Sequence, residues 1–201
     1  MKKGIAASKG YAIGKVFLQL HEEIVITDAK VSDVEAEKEV LKKALEQAKV
    51  QLTAIRDKAL KEIGEHEAQV FEAHLTLLDD PEFTGGMLAE IEASQVNSMK
   101  AVENVTNTFV MIFDSMEDEY MKERAADIKD VSKRIISNLA GKGGDAFAIT
   151  EANTVVVAHD LTPSDTAQLD RSKVVGFLTD IGGRTSHSAI MARSLEIPAV
   201  V

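Results

Sequence analysis

The chain has 201 residues, 45% apolar and 28% charged, enough for one large domain or two small ones with real cores and unlike a disordered composition. It contains no cysteine, which excludes a disulfide framework and any thiolate metal site and favours a cytoplasmic protein. The net charge of −10 is uneven: 27 acidic and 15 basic residues lie between His21 and Asp145, so nucleic acid is not an expected partner, whereas a basic protein suits this acidic middle.

The start, Met1-Lys2-Lys3-Gly4-Ile5, has basic residues with no long apolar core behind them, and no later run approaches the roughly 20 apolar residues of a membrane span. Neither export nor membrane insertion is expected. Gly4, Gly10 and Gly14 mark turns before a short strand near Val16 to Leu20. Ile24 to Ile26 reads as a further strand or an extended link.

From Asp33 the apolar positions Val34, Leu41, Leu45, Ala48, Leu52, Ile55, Ala59 and Ile63 repeat at three, four or seven residues, the pattern of a long amphipathic helix. Ser32 with Glu35 predicts its capping box, and Gly64 its end. A second helical pattern, about Glu65 to Leu78, carries Val70, Phe71, His74, Leu75, Leu77 and Leu78. Asp79-Asp80-Pro81 breaks or kinks it, and Gly85-Gly86 interrupts the stretch after that proline. A third, Ser98 to Met116, puts Val102, Val105, Phe109, Ile112, Phe113 and Met116 on one face. A fourth, Asp118 to Leu139, does the same for Met121, Ala125, Ile128, Val131, Ile135 and Leu139, and Gly141, Gly143 and Gly144 close it. Four helices with short joints predict a bundle.

The remainder has the texture of an α/β domain. Thr154 to Ala158 and Val174 to Thr179 are β-branched runs that read as strands. Between them, Thr162-Pro163-Ser164-Asp165 reads as a cap, a first-turn proline and a reciprocal side chain opening a short helix to about Leu169. Ala199 to Val201 looks like the start of a third strand, cut off.

Just before that strand lies the stretch richest in chemistry, Gly182-Gly183-Arg184-Thr185-Ser186-His187-Ser188-Ala189-Ile190-Met191-Ala192-Arg193. Two glycines allow a tight turn and close approach to a ligand, hydroxyl residues suit a helix cap, and the apolar pattern after His187 is helical until Pro198. His187 is thus expected near a helix N-terminus, where backbone N–H groups and the helix dipole favour an anion. A neutral imidazole is a nucleophile, Arg184 could bind phosphate or carboxylate, and Arg193 could help if the fold brings it round. Together these suggest phosphoryl transfer through a phosphohistidine. A buried histidine that merely caps its own helix is the plainer alternative. His21, His66, His74 and His159 lack the spacing to acidic or imidazole partners that a metal centre needs.

The stretch Gly182 to Val201 closely resembles the phosphohistidine signature of enzyme I of the bacterial sugar phosphotransferase system, a family of phosphoenolpyruvate–protein phosphotransferases. Two further segments are similar to the same family: Asp118-Glu119-Tyr120-Met121-Lys122-Glu123-Arg124-Ala125-Ala126-Asp127, and Asp160-Leu161-Thr162-Pro163-Ser164-Asp165-Thr166-Ala167-Gln168. The resemblance spans the chain. It implies an α/β phosphohistidine (swivelling) domain, residues 1–20 and 146–201, truncated at its C-terminus, with a mainly antiparallel four-helix bundle, residues 21–145, inserted as the HPr-binding domain. It implies that His187 takes a phosphoryl group from phosphoenolpyruvate through Nε2 and passes it to a histidine of HPr, with the Thr166 hydroxyl near the ring and Arg184 holding phosphate. Glu65, His74, Leu77, Phe83 and Arg124 fall where the family contacts HPr, although His66 stands where relatives have an acidic residue.

The resemblance also implies what is missing, a C-terminal β/α barrel that binds phosphoenolpyruvate and Mg²⁺ and makes the dimer. The 201 residues are accordingly expected to be a monomer without a cofactor of their own, exchanging phosphate with phospho-HPr alone. Two other readings stand beside this one. The swivelling domain of pyruvate phosphate dikinase or phosphoenolpyruvate synthase has a similar Gly-Gly-x-Thr-Ser-His segment, but lacks this helical insertion with its Glu-Arg-Ala-Ala-Asp segment. An acidic helical scaffold for a basic partner would need no chemistry from His187.

Overall fold

In a computed structural model, which describes residues 3–19, 24–143, 149–184 and 186–201 and all their side chains but those at 119, 120, 122 and 123, Asp33 caps the first helix. Its carboxylate accepts from the N–H of Ala36 at 2.9 Å and its carbonyl from Glu37 at 3.2 Å, so the cap lies one residue beyond the expected Ser32. Helix α1 runs Val34–Glu62. It ends as expected at Gly64, whose N–H donates to the Ala59 carbonyl at 3.0 Å.

Four more helices follow, α2 (Glu65–Asp79), α3 (Pro81–Ser94), α4 (Ser98–Asp114) and α5 (Glu119–Leu139). The sequence pattern anticipates four helices; the fifth is α3. Proline is tolerated in a first helical turn because the N–H it lacks would have no partner there, and the Asp80 carboxylate caps the helix through the N–H groups of Glu82 and Phe83. Gly85 and Gly86 lie inside α3, whose buried face of Phe83, Met87 and Ile91 outweighs their poor helix propensity. On α4 the buried residues are Ser98, Ala101, Val102 and Thr106, while Ile112 and Met116, expected to face inward, are exposed.

Five strands form one sheet: β1 (Ala6–Ser8), β2 (Lys15–Gln19), β3 (Thr154–Ala158), β4 (Val174–Thr179) and β5 (Ala199–Val200). Their spatial order is β1-β5-β4-β3-β2, parallel throughout except that β1 runs antiparallel to β5. β1 is a strand that the glycine-rich start does not reveal, and Ile24 to Ile26 forms none. In register, Phe17, Val156, Phe177 and Ala199 cross the sheet side by side. That row packs with Ala189, Met191, Ala192 and Leu195 of α7 (His187–Ser194) and its C-cap, and with Leu161 and Leu169 at the ends of α6 (Pro163–Gln168). The core of this part therefore seats both short helices.

The chain divides into two compact units. One comprises Met1–Glu22, Lys58–Ala68 and Asp145–Val201; the other, Glu23–Asp57 and Gln69–Gly144. The end of α1 and the start of α2 thus belong with the strands, and Ile63 packs on their core. A sequence division at 21–145 does not separate this stretch. The expected domain boundaries near residues 20 and 145, the strand end at Leu20, the terminating Gly144 and Thr185 of the histidine motif all lie outside the described residues.

Candidate functional site

His187 is the first residue of α7, and Ser186 is its cap, in extended conformation with its Oγ accepting from the N–H of Ala189 at 3.3 Å. The same hydroxyl donates to the Gly183 carbonyl at 2.8 Å, tying the cap to the turn before it. Gly182 makes that turn with a φ of +134°, a conformation essentially restricted to glycine. A Cβ there would lie 3.1 Å from the Cβ of Val201 and 3.3 Å from the Ser186 Oγ. The local sequence therefore determines where the imidazole starts.

The seat of the ring comes from farther away. Its Nε2 has no solvent-accessible surface, although the residue as a whole is half-buried. Thr166 on α6 is fully buried, and α6 packs against α7. The Thr166 hydroxyl shares its single proton between the carbonyls of Thr162 (3.1 Å) and Pro163 (3.0 Å), so it retains only lone pairs with which to accept. α6 itself begins with the expected capping box of Thr162 and Asp165.

Three cations hold backbone carbonyls around the two helices. Arg193 donates from Nη1 to the carbonyls of Arg184 and Ala7, each at 3.0 Å, Arg171 donates to Leu195 at 2.7 Å, and Lys58 donates to Gln168 at 3.0 Å. Leu195 and Gln168 lie at helix C-termini, where carbonyls lack intrahelical donors and a cation complements the dipole. Arg193, which could help Arg184 if the fold brought it round, fixes the backbone of Arg184. Arg184 is exposed, and with Ala6, Ala7, Ser8, Lys9, Arg193 and Glu196 it lines an open cleft of about 570 Å³. Three cations against one carboxylate suit that cleft to an anion.

Glu67, in the first turn of α2, was not singled out by the sequence. Its Oε1 accepts from the Ser194 hydroxyl of α7 at 2.5 Å. That bond, a further one from its own backbone N–H, and the nearby charges of His66 and His187 hold its carboxyl below the ordinary value of 4.5 despite burial, which opposes the shift. No short-range pattern could have revealed this, because the partners stand 127 residues apart.

The other anticipated residues are dispersed. Glu65 is exposed and belongs to the unit containing the sheet. His74, Leu77, Phe83 and Arg124 belong to the helical unit. Leu77 and Arg124 are half-buried, whereas His74 and Phe83 have no accessible surface, so a partner could not touch these two side chains directly in this structure. Phe83 packs edge-on to Phe109 with ring centroids 5.4 Å apart. His74 bonds through Nε2 to Asp127 at 3.1 Å, and Asp127 in turn lies 4.0 Å from Arg124. Among the described residues no group of three or more His, Cys, Asp or Glu is placed to hold a metal ion, and no helix is long and apolar enough to cross a membrane.

Known proteins resemble this chain in sequence and in fold. Residues 3–124 match the family model described as PEP-utilising enzyme, N-terminal, and residues 150–201 match PEP-utilising enzyme, mobile domain. The chain is 54% identical to a phosphoenolpyruvate-protein phosphotransferase of Listeria monocytogenes over 99% of its own length and 35% of the relative's. It is 52% identical to the protein of the same name from Enterococcus faecalis, again over 35% of that relative. It thus spans about a third of the length of the curated relatives it matches. Among solved structures, the solution structure of Enzyme I (nEIt) superposes with a TM-score of 0.85 at 49% identity, covering 99% of this chain and 81% of that one. The N-terminal domain of Enzyme 1 - Nitrogen superposes with a TM-score of 0.70 at 27% identity, covering 98% and 81%. With more than half of its residues inside the first model, the chain belongs to the family of PEP-utilising enzymes, N-terminal.

Proposed function

We propose that this chain is the phosphoryl-relay part of a phosphoenolpyruvate–protein phosphotransferase, in which His187 receives phosphate originating from phosphoenolpyruvate and passes it to a histidine of HPr. This is the first step of the sugar phosphotransferase system. The observation that carries the reading is His187 as the first residue of α7 behind its Ser186 cap, in a chain 54% identical over nearly all its length to a protein of that name.

Transfer between imidazoles asks for positioning and charge stabilisation rather than new covalent machinery. With phosphoenolpyruvate as the source, its P–O bond breaks as the P–N bond to His187 forms and enolpyruvate leaves. On transfer to HPr, the P–N bond at His187 breaks as the one to the HPr histidine forms, and exchange with phospho-HPr is the reverse of that second step. Backbone N–H groups of the first turn of α7 and the exposed Arg184 supply positive charge to the phosphoryl oxygens. Because Nε2 is buried, the ring turns in its seat before an in-line approach. Thr166, able only to accept from the ring, steadies the unphosphorylated state.

The α/β unit serves as the phosphohistidine domain, with a helical bundle inserted to bind HPr. Glu65, Leu77 and Arg124 contribute to that docking surface, and buried His74 and Phe83 shape it from beneath. The acidic composition of residues 21–145 steers a basic carrier. By the family resemblance, phosphoenolpyruvate and Mg²⁺ belong to a C-terminal barrel, which also makes the dimer; no step in this chain is routed through the metal.

Intact-mass measurement after mixing with phospho-HPr tests the proposal. The parent gains one phosphate and His187→Ala none; no gain in either refutes it.

A further inference from the structure

His74 falls where the family resemblance puts contact with HPr, yet its side chain has no accessible surface and no partner can reach it in this structure. What it does reach is Asp127. Its Nε2 lies 3.1 Å from Oδ1, and because an ionised carboxylate only accepts, the ring nitrogen is the donor. Phe71 packs edge-on to the same ring with centroids 5.7 Å apart. The other nitrogen, Nδ1, is 3.9 Å from the Asp130 carboxylate and has no hydrogen-bond partner among the described residues, so the bond through Nε2 is the one that holds the imidazole.

The two oxygens of Asp127 face different residues. With Oδ1 engaged by His74, the orientation of the carboxylate is fixed, and Oδ2 is left 4.0 Å from Nη1 of Arg124, three residues earlier on α5. About a third of the Arg124 side chain, 32%, is exposed, so a partner can reach it where it cannot reach His74. An arginine has several free torsions, and a fixed carboxylate beside it reduces the freedom that it must lose on binding.

We infer that His74 is a positioning residue for partner docking: it clamps the Asp127 carboxylate, which in turn holds the Arg124 guanidinium ready for HPr. The buried imidazole thereby acts at a surface that it does not touch. The inference rests on the reading of Arg124 as part of the HPr-docking surface.

HPr affinity, measured by isothermal titration calorimetry on a double-mutant cycle, tests it. His74→Leu removes the donor and weakens binding by roughly fivefold, whereas His74→Gln, whose amide can still donate to Asp127, keeps most of the affinity. In an Arg124→Ala background His74→Leu weakens binding no further, because the residue through which it acts is gone. Asp127→Asn tests the same route if the buried leucine prevents folding: its amide oxygen still accepts from His74, the charge facing Arg124 is lost, and affinity again falls only where Arg124 is present. Equal losses in both backgrounds would assign His74 and Asp127 to the fold alone and overturn the inference. Parental affinity in His74→Leu or in Asp127→Asn overturns it too, as does an Arg124→Ala variant that binds HPr like the parent. Each of those outcomes leaves the relay reading standing while the parent exchanges phosphate; a parent that neither binds HPr nor accepts phosphate from it overturns both.

Discussion

His74 Nε2 lies 3.1 Å from Asp127 Oδ1, joining α2 to α5 by a bond whose imidazole has no accessible surface. Asp127 also lies 4.0 Å from Arg124, so one carboxylate serves two residues that the sequence associates with partner contact. Replacing Asp127 by Ala leaves a buried ring nitrogen without its acceptor. Urea unfolding should show a loss of about 1–3 kcal/mol, with Asp127→Asn, whose amide oxygen can still accept, losing less. Equal stability in the parent and Asp127→Ala would show that the bond contributes nothing.

Arg193 donates to two backbone carbonyls, one on β1 and one at Arg184. Arg193→Met keeps most of the aliphatic stem and strands both acceptors. A stability loss of about 1–2 kcal/mol is expected, together with slower exchange with phospho-HPr as the turn before His187 loosens. Rapid-quench exchange kinetics check the second effect, and an unchanged rate would mean that the Arg184 backbone does not need this anchor.

At Gly182 the backbone and the packing act together. Alanine would have to adopt a φ near +134° with Val201 and Ser186 both closer than ordinary contact distance. Gly182→Ala should cost about 1–3 kcal/mol and displace the cap of α7, visible as altered amide shifts at Ser186 and Ala189. A folded variant with parental shifts would contradict this account of the turn.

Acid should reveal the Ser194 bond. Because Glu67 has a lowered pKa when folded, the stabilisation linked to its ionised form is complete above the ordinary value of 4.5 and is lost as pH falls through the folded value. Parent and Ser194→Ala should therefore differ in urea stability at neutral pH, and the difference should shrink below that ordinary value. A gap that stayed constant into strong acid would assign the effect to packing instead.

Association with HPr should weaken severalfold as salt rises from about 50 to about 500 mM, if the acidic middle of the chain steers a basic partner. Surface plasmon resonance at the two ionic strengths measures it directly. The change should fall mainly in the association rate, which long-range attraction governs. Equal rates would remove steering from the mechanism.

The legible part of this protein is what neighbouring residues decide. Ser186 beside His187, the Thr162–Asp165 box and Gly64 after α1 all act within a few positions, and each appears as the sequence predicts. Ser32 and Asp33 could each cap α1, and only the backbone path chooses between them. Gly85-Gly86 reads as a break because propensity is local, whereas the burial of Phe83, Met87 and Ile91 that overrides it is tertiary. Ile112 and Met116 continue the apolar stripe of α4 beyond the point where anything covers it. Glu67 and Ser194 meet only because the start of α2 assembles with the strands, which periodicity cannot express.

Strands β2 and β3 run parallel in the register Lys15↔Thr154 to Gln19↔Ala158, so all five helices from α1 to α5 lie between them in the chain. Closing so long a loop must precede any reward from the strand pairing, and contacts this distant in sequence slow folding. The joining of β2 to β3 is consequently the pairing that this loop delays, whereas β3, β4 and β5 pair over short separations. During synthesis β1 and β2 leave the ribosome well before the strands they pair with, and the helical segment has time to form first.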